Sequence, residues 1–186
     1  TVREARILLK EVQVKARKIW GRKDTISYSV GAFIGEGDVV IADVLRKLPN
    51  IEVSLDGLIK YQGKAINKFY IEGMDALQGR YGIATNNISA RDVATVQVLE
   101  NHQPIKALEK TQPSSDAAIN LKLKEEVKGT FGMTAQLGLG YDGKLRRSEE
   151  LVGLYIAKRR QHILTAKSND SGQDVRAELR SFTSAS

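Results

Sequence analysis

The sequence changes its pattern after a short polar linker at residues 112–115. Beyond it, apolar Ile119, Leu121 and Leu123 alternate with polar side chains, which is the two-residue period of a strand with one face in water. Alternating segments continue, separated by turn signals, at residues 130–141, 150–158, 162–167 and 175–182. This part of the chain is therefore predicted to form a β-meander with no helix to cover it.

A meander of this kind has to place its apolar face against something. In a soluble protein the partner is a second sheet of the same domain. Strands of about ten residues that alternate polar and apolar side chains between turns are also how an outer-membrane β-barrel begins. The pattern alone leaves both alternatives open.

The residues before the linker mix two periodicities. Apolar residues spaced by three and four positions predict a helix over residues 39–48, with Asp38 as its N-cap and Pro49 as its stop. Ser89 and Asp92 predict a capped helical turn at residues 89–93, whereas Gly73, Gly79 and Gly82 predict breaks in the chain. β-branched and aromatic runs predict short strands at residues 9–19, 25–30, 51–53, 58–61, 65–72 and 94–99.

These elements predict an α+β fold class: a small mixed β-sheet with flanking short helices, followed by the meander. No stretch of ~20 consecutive apolar residues predicts a membrane helix. Residues 1–10 have neither the apolar core nor the cleavage site of a signal peptide. Any contact with a membrane is therefore expected through strands or through the surface.

No cluster of reactive side chains stands out in the sequence. The chain has no cysteine, which excludes disulfides, thiolate zinc sites and cysteine nucleophiles. The two histidines lie far apart and lack the neighbours of a catalytic triad, so we expect a structural role for His102 and a strand surface for His162. Asp56, Glu72 and Asp75 lie beside or near glycines, where turn formation explains them. We predict that the chain is not an enzyme and has no catalytic or metal-binding residue.

One phosphate-binding signature occurs out of context. Residues 138–143 match G-x-G-x-x-G, which binds a dinucleotide only where it follows a strand and opens a helix. Residues 144–149 are strongly charged and predict no strand-helix-strand crossover. No cofactor is therefore expected.

The net charge of +7 raises the question of an anionic partner. The densest basic run, residues 15–23, surrounds the single tryptophan, Trp20, and such a mixture can clamp phosphate and stack on a base. A basic nucleic-acid-binding domain is accordingly the alternative function. The simpler interpretation is a charged strand edge that keeps the chain soluble, and a nucleic-acid partner is not expected because charge elsewhere is scattered.

Three motifs follow one another in the order of a known domain. In residues 43–53 a helix ends at Leu48-Pro49 and a strand follows, with Asn50 where glycine is common. Residues 69–75, a strand and turn, are followed by the amphipathic residues 88–100, and residues 117–122 close the series with alanine in place of two glycines. In this order and spacing they resemble the plug domain of TonB-dependent outer-membrane receptors, of the kind preceded by a carboxypeptidase-like domain.

The resemblance implies a division of the chain and a location. Residues 1–23 would be a basic lead-in with a first strand, residues 24–126 the plug domain, and residues 127–186 the initial strands of a truncated outer-membrane β-barrel. The chain would then be a fragment of a receptor of the cell outer membrane. In such a receptor the plug occludes the barrel lumen and gates the energised import of a nutrient.

The resemblance also implies partners. These are TonB, through a segment outside this chain, the remaining barrel, an unknown small nutrient or oligomer, and a surface lipoprotein. A signalling plug-barrel protein without transport is a further alternative. No residue is assigned to substrate contact, because the contacting loops of the family carry no motif.

Overall fold

The computed structural model describes residues 17–54, 57–75, 77–105, 114–129, 131–141, 144–157 and 160–169. In chain order these residues form β1 (Ile19–Arg22), β2 (Thr25–Ser29), α1 (Ile41–Leu45), β3 (Ile51–Val53), β4 (Ile59–Tyr61), β5 (Lys64–Ala65), β6 (Lys68–Ile71), α2 (Gly82–Asn87), β7 (Val93–Leu99), β8 (Ala118–Leu123), β9 (Phe131–Tyr141), β10 (Leu145–Ala157) and β11 (Arg160–Asn169). Single turns of 3₁₀ helix cover Val30–Ala32, Ala90–Asp92 and Glu125–Val127. Mixed sheets with short helices confirm the α+β class.

The largest sheet has the strand order β1-β2-β7-β8-β6. It is mixed, because β6 runs parallel to β8 while the other neighbours are antiparallel. The register aligns Tyr28, Val96, Leu121 and Ile71 in one row, and all four side chains are buried. This apolar face shares one hydrophobic core with residues of α1 and α2.

The opposite face of the same sheet carries a polar row. The register aligns Trp20, Ser27, Gln97, Asn120 and Tyr70 across the five strands. Ser27 and Asn120 are nevertheless buried. The Asn120 amide donates to Oε1 of Gln97 and its Oδ1 accepts from the backbone N–H of Gly73, both at 2.9 Å. Hydrogen bonds on both sides thus offset the cost of burying this amide.

The strand predicted at residues 65–72 is present but shorter, because β6 covers only Lys68–Ile71 and Ala65 belongs to β5. β5 pairs with β4 in a separate antiparallel sheet of order β3-β4-β5, whereas β6 pairs with β8 in the mixed sheet. Between them, the backbone N–H of Ile66 donates to Ile59 and that of Asn67 donates to Ala117. The chain therefore changes sheets within two residues, a step that side-chain periodicity does not record.

The helix predicted over residues 39–48 is present but shorter, and its predicted N-cap is wrong. Asp43 Oδ2 accepts from the backbone N–H groups of Val39 and Val40, at 3.1 Å each, so the first turn is capped from within. Asp38 lies too far before α1 to do this. It accepts from the N–H of Gly35 at 2.7 Å and pairs with Nζ of Lys47 at 2.6 Å.

α2 begins at Gly82, where the sequence predicts a break. Five of its six residues are buried, so it has no polar face that a periodicity could reveal. The capped turn predicted at residues 89–93 is confirmed in part, since Ser89 accepts from the N–H of Arg91 at 3.3 Å and caps the 3₁₀ turn Ala90–Asp92. None of the helices in the described ranges is long and apolar enough to cross a membrane.

The second part of the chain forms the predicted meander. β9, β10 and β11 are antiparallel neighbours in the order β11-β10-β9. Over the described residues, the strands predicted at 130–141, 150–158 and 162–167 are confirmed, and β10 and β11 begin earlier than predicted. The strand predictions at residues 175–182 and before residue 17, and the first half of the linker, lie outside the described residues.

Candidate functional site

A cluster of charged side chains marks the point where the mixed sheet leads into β9. Oε1 of Glu72 accepts from the backbone N–H of Leu123, the last residue of β8, at 2.6 Å. Its Oε2 lies 3.4 Å from Nζ of Lys128 and 3.8 Å from Nζ of Lys122. Nζ of Lys128 also donates to Oε1 of Glu125 at 2.5 Å. We call Glu72, Lys122, Glu125 and Lys128 the junction cluster.

The turn after β6 presents Glu72 to this cluster. Ile71 and Met74 exchange two backbone hydrogen bonds of 3.0 Å, and the two residues between them have positive φ, 52° at Glu72 and 79° at Gly73. This is the geometry of a two-residue hairpin turn of type I′. The turn chemistry predicted for Glu72 is present. A left-handed backbone is unfavourable for glutamate, and the backbone hydrogen bonds of the turn together with the contacts of the carboxylate offset that cost.

Two lysines flank the Glu72 carboxylate in the junction cluster. The side chain of Glu72 is only 11% exposed, yet both of its oxygens have donors or cations within reach. The hydrogen bond to Glu125 raises the pKa of Lys128, and the nearby charge of Glu72 raises it further. The cluster therefore ties the turn after β6, the end of β8 and the 3₁₀ turn Glu125–Val127 together by charge-assisted contacts.

A groove of about 340 Å³ opens elsewhere, between the loop that follows β2 and the 3₁₀ turn before β7. The floor of the groove is apolar and is lined by Val30, Ile34 and Val93. Its rim is charged and carries Glu36, Arg91 and Lys124. Two backbone contacts fix its walls: the N–H of Ala90 donates to Val39, and that of Lys124 donates to Asp92 at 2.9 Å. No sequence motif predicts it, because its residues come from three separate segments.

The β9–β11 sheet exposes an apolar face. The side chains of Leu137, Leu139 and Tyr141 are 84%, 79% and 82% exposed, and Leu164 is 65% exposed. Register places them on the same side of the sheet as Leu151. We call these five residues the outer face. On the other side, Val152 is buried in the hydrophobic core and Ile163 packs against that core.

The structure places His102 in a polar contact network. Its Nδ1 lies 3.1 Å from Oδ1 of Asn67 and its Nε2 lies 3.2 Å from the hydroxyl of Tyr70, while its backbone N–H donates to Asp116. These contacts join β6 to the chain on either side of the linker, in keeping with the predicted structural role. His162 is exposed on β11, where its ring stacks on Tyr155 with centroids 6.0 Å apart.

The remaining candidate residues are not brought together. Asp75 pairs with Lys68 at 2.6 Å rather than with Glu72, and Asp56 lies outside the described residues. Residues 138–141 of the glycine signature lie in β9, which pairs antiparallel with β10, so no helix follows that strand. Within the described ranges no group of three or more His, Cys, Asp or Glu residues is placed to hold a metal ion.

The part of the basic run that the structure describes is exposed. All four residues of β1 are exposed, including Trp20 at 38%, and β1 lies at the edge of the mixed sheet. Arg17, Lys18 and Lys23 flank it and are exposed as well. This arrangement is the charged strand edge that would keep the chain soluble. It also leaves the cations accessible to phosphate and the indole accessible to a base.

Comparisons with known proteins return little. No protein-family profile and no curated protein matches the sequence. Eighteen chains of solved structures match by structure. One of them, the copper transporter OprC, is 17% identical with a TM-score of 0.38, over 78% of this chain and 23% of that one. The chain thus spans about a quarter of that structure's length, and a likeness at this TM-score establishes neither a family nor a function.

Proposed function

We propose that this chain is the plug domain, with the first strands of the surrounding β-barrel, of a TonB-dependent outer-membrane receptor that imports a nutrient. The outer face of the β9–β11 sheet carries the proposal. Exposed apolar patches on soluble proteins are small or functional, and a meander with an apolar outside is what lipid-facing strands of a barrel require.

The arrangement of the two parts supports the same function. The β9–β11 sheet turns Val152 and Ile163 towards the core that contains the mixed sheet, while Leu137 and Leu139 point away from it. A barrel wall around a plug has this polarity, with the plug inside and lipid outside. The three motifs that resemble a plug fall on α1 to β3, on β6 to β7, and on β8.

In this function the chain works by occupying a pore. The mixed sheet and its helices would block the lumen, and movement of this unit would open a path for the nutrient. Force would come from TonB through a segment outside this chain, and a surface lipoprotein would assist capture. No catalysis is required in this function.

Channel conductance tests the plug. The full-length receptor containing this sequence would be expressed, recovered from outer membranes and inserted into planar lipid bilayers, intact and with residues 24–126 deleted. We expect the intact protein to be closed and the deletion to show large conductance steps. A full-length protein that does not fractionate with the outer membrane, or a deletion that stays closed while correctly folded, contradicts the proposal.

A pair of neighbouring residues tests the outer face. Leu164 belongs to it, and the adjacent Thr165 points to the other side of β11. A lysine on the lipid side of a barrel costs ~2–4 kcal/mol at the bilayer centre, whereas a lumen-side lysine is tolerated. Leu164→Lys should therefore lower the yield of membrane-inserted receptor, and Thr165→Lys should lower it clearly less. Equal yields would mean that the outer face does not contact lipid.

An uptake assay separates import from signalling. Cells that lack the receptor should lose TonB-dependent growth on one limiting nutrient and regain it with the intact gene. A receptor that changes gene expression without restoring uptake would be the signalling alternative.

A further inference from the structure

The groove between the loop that follows β2 and the 3₁₀ turn before β7 has the shape and charge of a ligand site, independently of the receptor role. Its volume of about 340 Å³ lies at the lower end of the range for small-molecule pockets. Ile34, which is partly buried, forms the accessible part of an apolar floor, and Val30 and Val93, both 1% exposed, lie beneath it. A floor of this kind favours the hydrocarbon part of a ligand.

The rim is charged and unpaired. Within the described ranges, the side chains of Arg91, Lys124 and Glu36 make no hydrogen bond or ion pair. The hydrogen bond from the Lys124 backbone to Asp92 brings the bases of the Arg91 and Lys124 side chains to neighbouring points on one wall. Two cations on this wall outweigh the single carboxylate, so the rim favours an anion.

A second cleft, of about 230 Å³, makes a weaker candidate. It lies between β4 and the end of β7, and its polar groups already bind one another. The hydroxyl of Tyr61 donates to Glu100 at 2.7 Å, and Nζ of Lys64 lies 3.2 Å from Oγ of Ser115. A ligand there would have to replace existing hydrogen bonds, whereas the rim of the first groove has none to lose.

We propose that the groove binds a small amphipathic carboxylate, with its carboxylate between Arg91 and Lys124 and its apolar part over Val30, Ile34 and Val93. Arg91 is the anchor, since a guanidinium can hold a carboxylate through two parallel hydrogen bonds. Glu36 on the facing loop disfavours ligands with a second negative charge. The class is thus a monoanion with a short hydrocarbon chain or ring.

Octanoate is a suitable probe. Amide chemical shifts of the isotopically labelled chain would be followed by NMR during titration with sodium octanoate, and with octylammonium and acetate as matched probes. We expect saturable shifts at the groove with Kd on the order of 1 mM for octanoate, as ligand efficiency allows for a molecule of this size. Octylammonium, which lacks the anion, and acetate, which lacks the chain, should bind at least about tenfold more weakly.

Substitutions locate the site. Arg91→Gln and Lys124→Gln each remove one exposed cation and should weaken octanoate binding by roughly 5- to 10-fold, while Lys18→Gln, next to β1, should leave octanoate binding unchanged. Gly31 lines the groove, its φ is not positive, and a Cβ there meets no atom within 4 Å. Gly31→Phe should therefore leave the fold intact and, by placing a ring at the edge of the groove, weaken octanoate binding.

Three outcomes overturn the inference. The first is an absence of saturable shifts in the millimolar range. The second is octylammonium binding as well as octanoate, which would make the contact purely hydrophobic. The third is shifts that fall on the outer face rather than on the groove, since Leu137 and Leu139 offer an alternative apolar surface. Failure of the plug proposal would leave all of these measurements unaffected.

Discussion

Removal of the Glu72 carboxylate is the most informative single change, because three separable interactions end on it. Losing a hydrogen bond from a buried backbone N–H to a charged acceptor, here Leu123 to Glu72, costs about 1.5–3 kcal/mol. The two ion pairs add less, since Lys122 and Lys128 are 42% and 23% exposed, and together they contribute roughly 0.5–1 kcal/mol. Glu72→Ala should therefore lower the free energy of unfolding by about 2–4 kcal/mol.

Three substitutions at this position separate the causes. Glu72→Gln keeps an oxygen acceptor for Leu123 and loses the charge, so it should cost only about 0.5–1.5 kcal/mol. Glu72→Gly loses the same contacts as Glu72→Ala, but glycine adopts a φ of 52° without steric cost. The glycine variant should therefore be about 1 kcal/mol more stable than the alanine variant. The expected order of destabilisation is alanine, then glycine, then glutamine.

Urea unfolding of the chain measures these differences. Trp20, the single tryptophan, lies in β1 of the mixed sheet and reports by fluorescence on the unit that holds the junction cluster. Hydrogen exchange of the Leu123 amide gives an independent local measure. Glu126→Ala is the matched control, because Glu126 is exposed in the same 3₁₀ turn and has no hydrogen bond or ion pair in the described part of the chain.

The reasoning fails on either of two results. If Glu72→Ala is no more destabilising than Glu126→Ala, the carboxylate does not hold the turn to β8. If glycine is as destabilising as alanine, the left-handed conformation at position 72 carries no cost. High salt provides a further check, since it should narrow the gap between glutamate and glutamine by screening the lysines and leave the gap between glycine and alanine unchanged.

Three further predictions address other parts of the chain. The hydrogen bonds from Lys47 and from the Gly35 N–H lower the pKa of Asp38. The stabilisation by its carboxylate is therefore complete above the unfolded pKa of about 4 and is lost as pH falls through the folded pKa. The difference in free energy of unfolding between wild type and Asp38→Asn should shrink on acidification, and a difference that does not change with pH would contradict this prediction. Asn120→Ala should cost about 1–3 kcal/mol in thermal or urea unfolding, because it leaves the Gly73 N–H and the Gln97 side chain without their partner. A fluorescence titration of Trp20 with single-stranded DNA at low salt should show no binding, and micromolar affinity that weakens steeply with salt would favour the nucleic-acid alternative instead.

The strands of this chain could be predicted from its sequence better than its helices could. β3, β7 and the β9–β11 meander follow from alternation and turn residues, and each is present within a few residues of its predicted bounds. The sequence does not predict α2, because five of its six residues are buried and leave no polar face with a helical period. The predicted cap of α1, Asp38, is wrong because sequence spacing does not tell which aspartate reaches the free backbone N–H groups. In the structure Asp43 accepts from them.

The candidate sites depend still more on tertiary structure. Glu72 is recognisable in sequence as a turn residue, but its two lysine partners and the Leu123 N–H lie some fifty positions further on. No local signal joins them. The groove likewise combines the loop after β2 with the start of β7 and with Lys124 after β8. Only the pairing of β7 with β2 and β8 brings these segments to one place.

The two sheets of the chain also show what alternation leaves undetermined. In the mixed sheet, the apolar residues of the alternating strands β7 and β8 face the core, as Val96, Val98 and Leu121 do. In the β9–β11 sheet the same period places Leu137 and Leu139 outside. A two-residue period establishes that a strand has two unlike faces, but the packing of the sheet decides which face meets solvent. Because Val152 occupies the inward side, the outer face does not join the core and stays exposed in the described part of the chain.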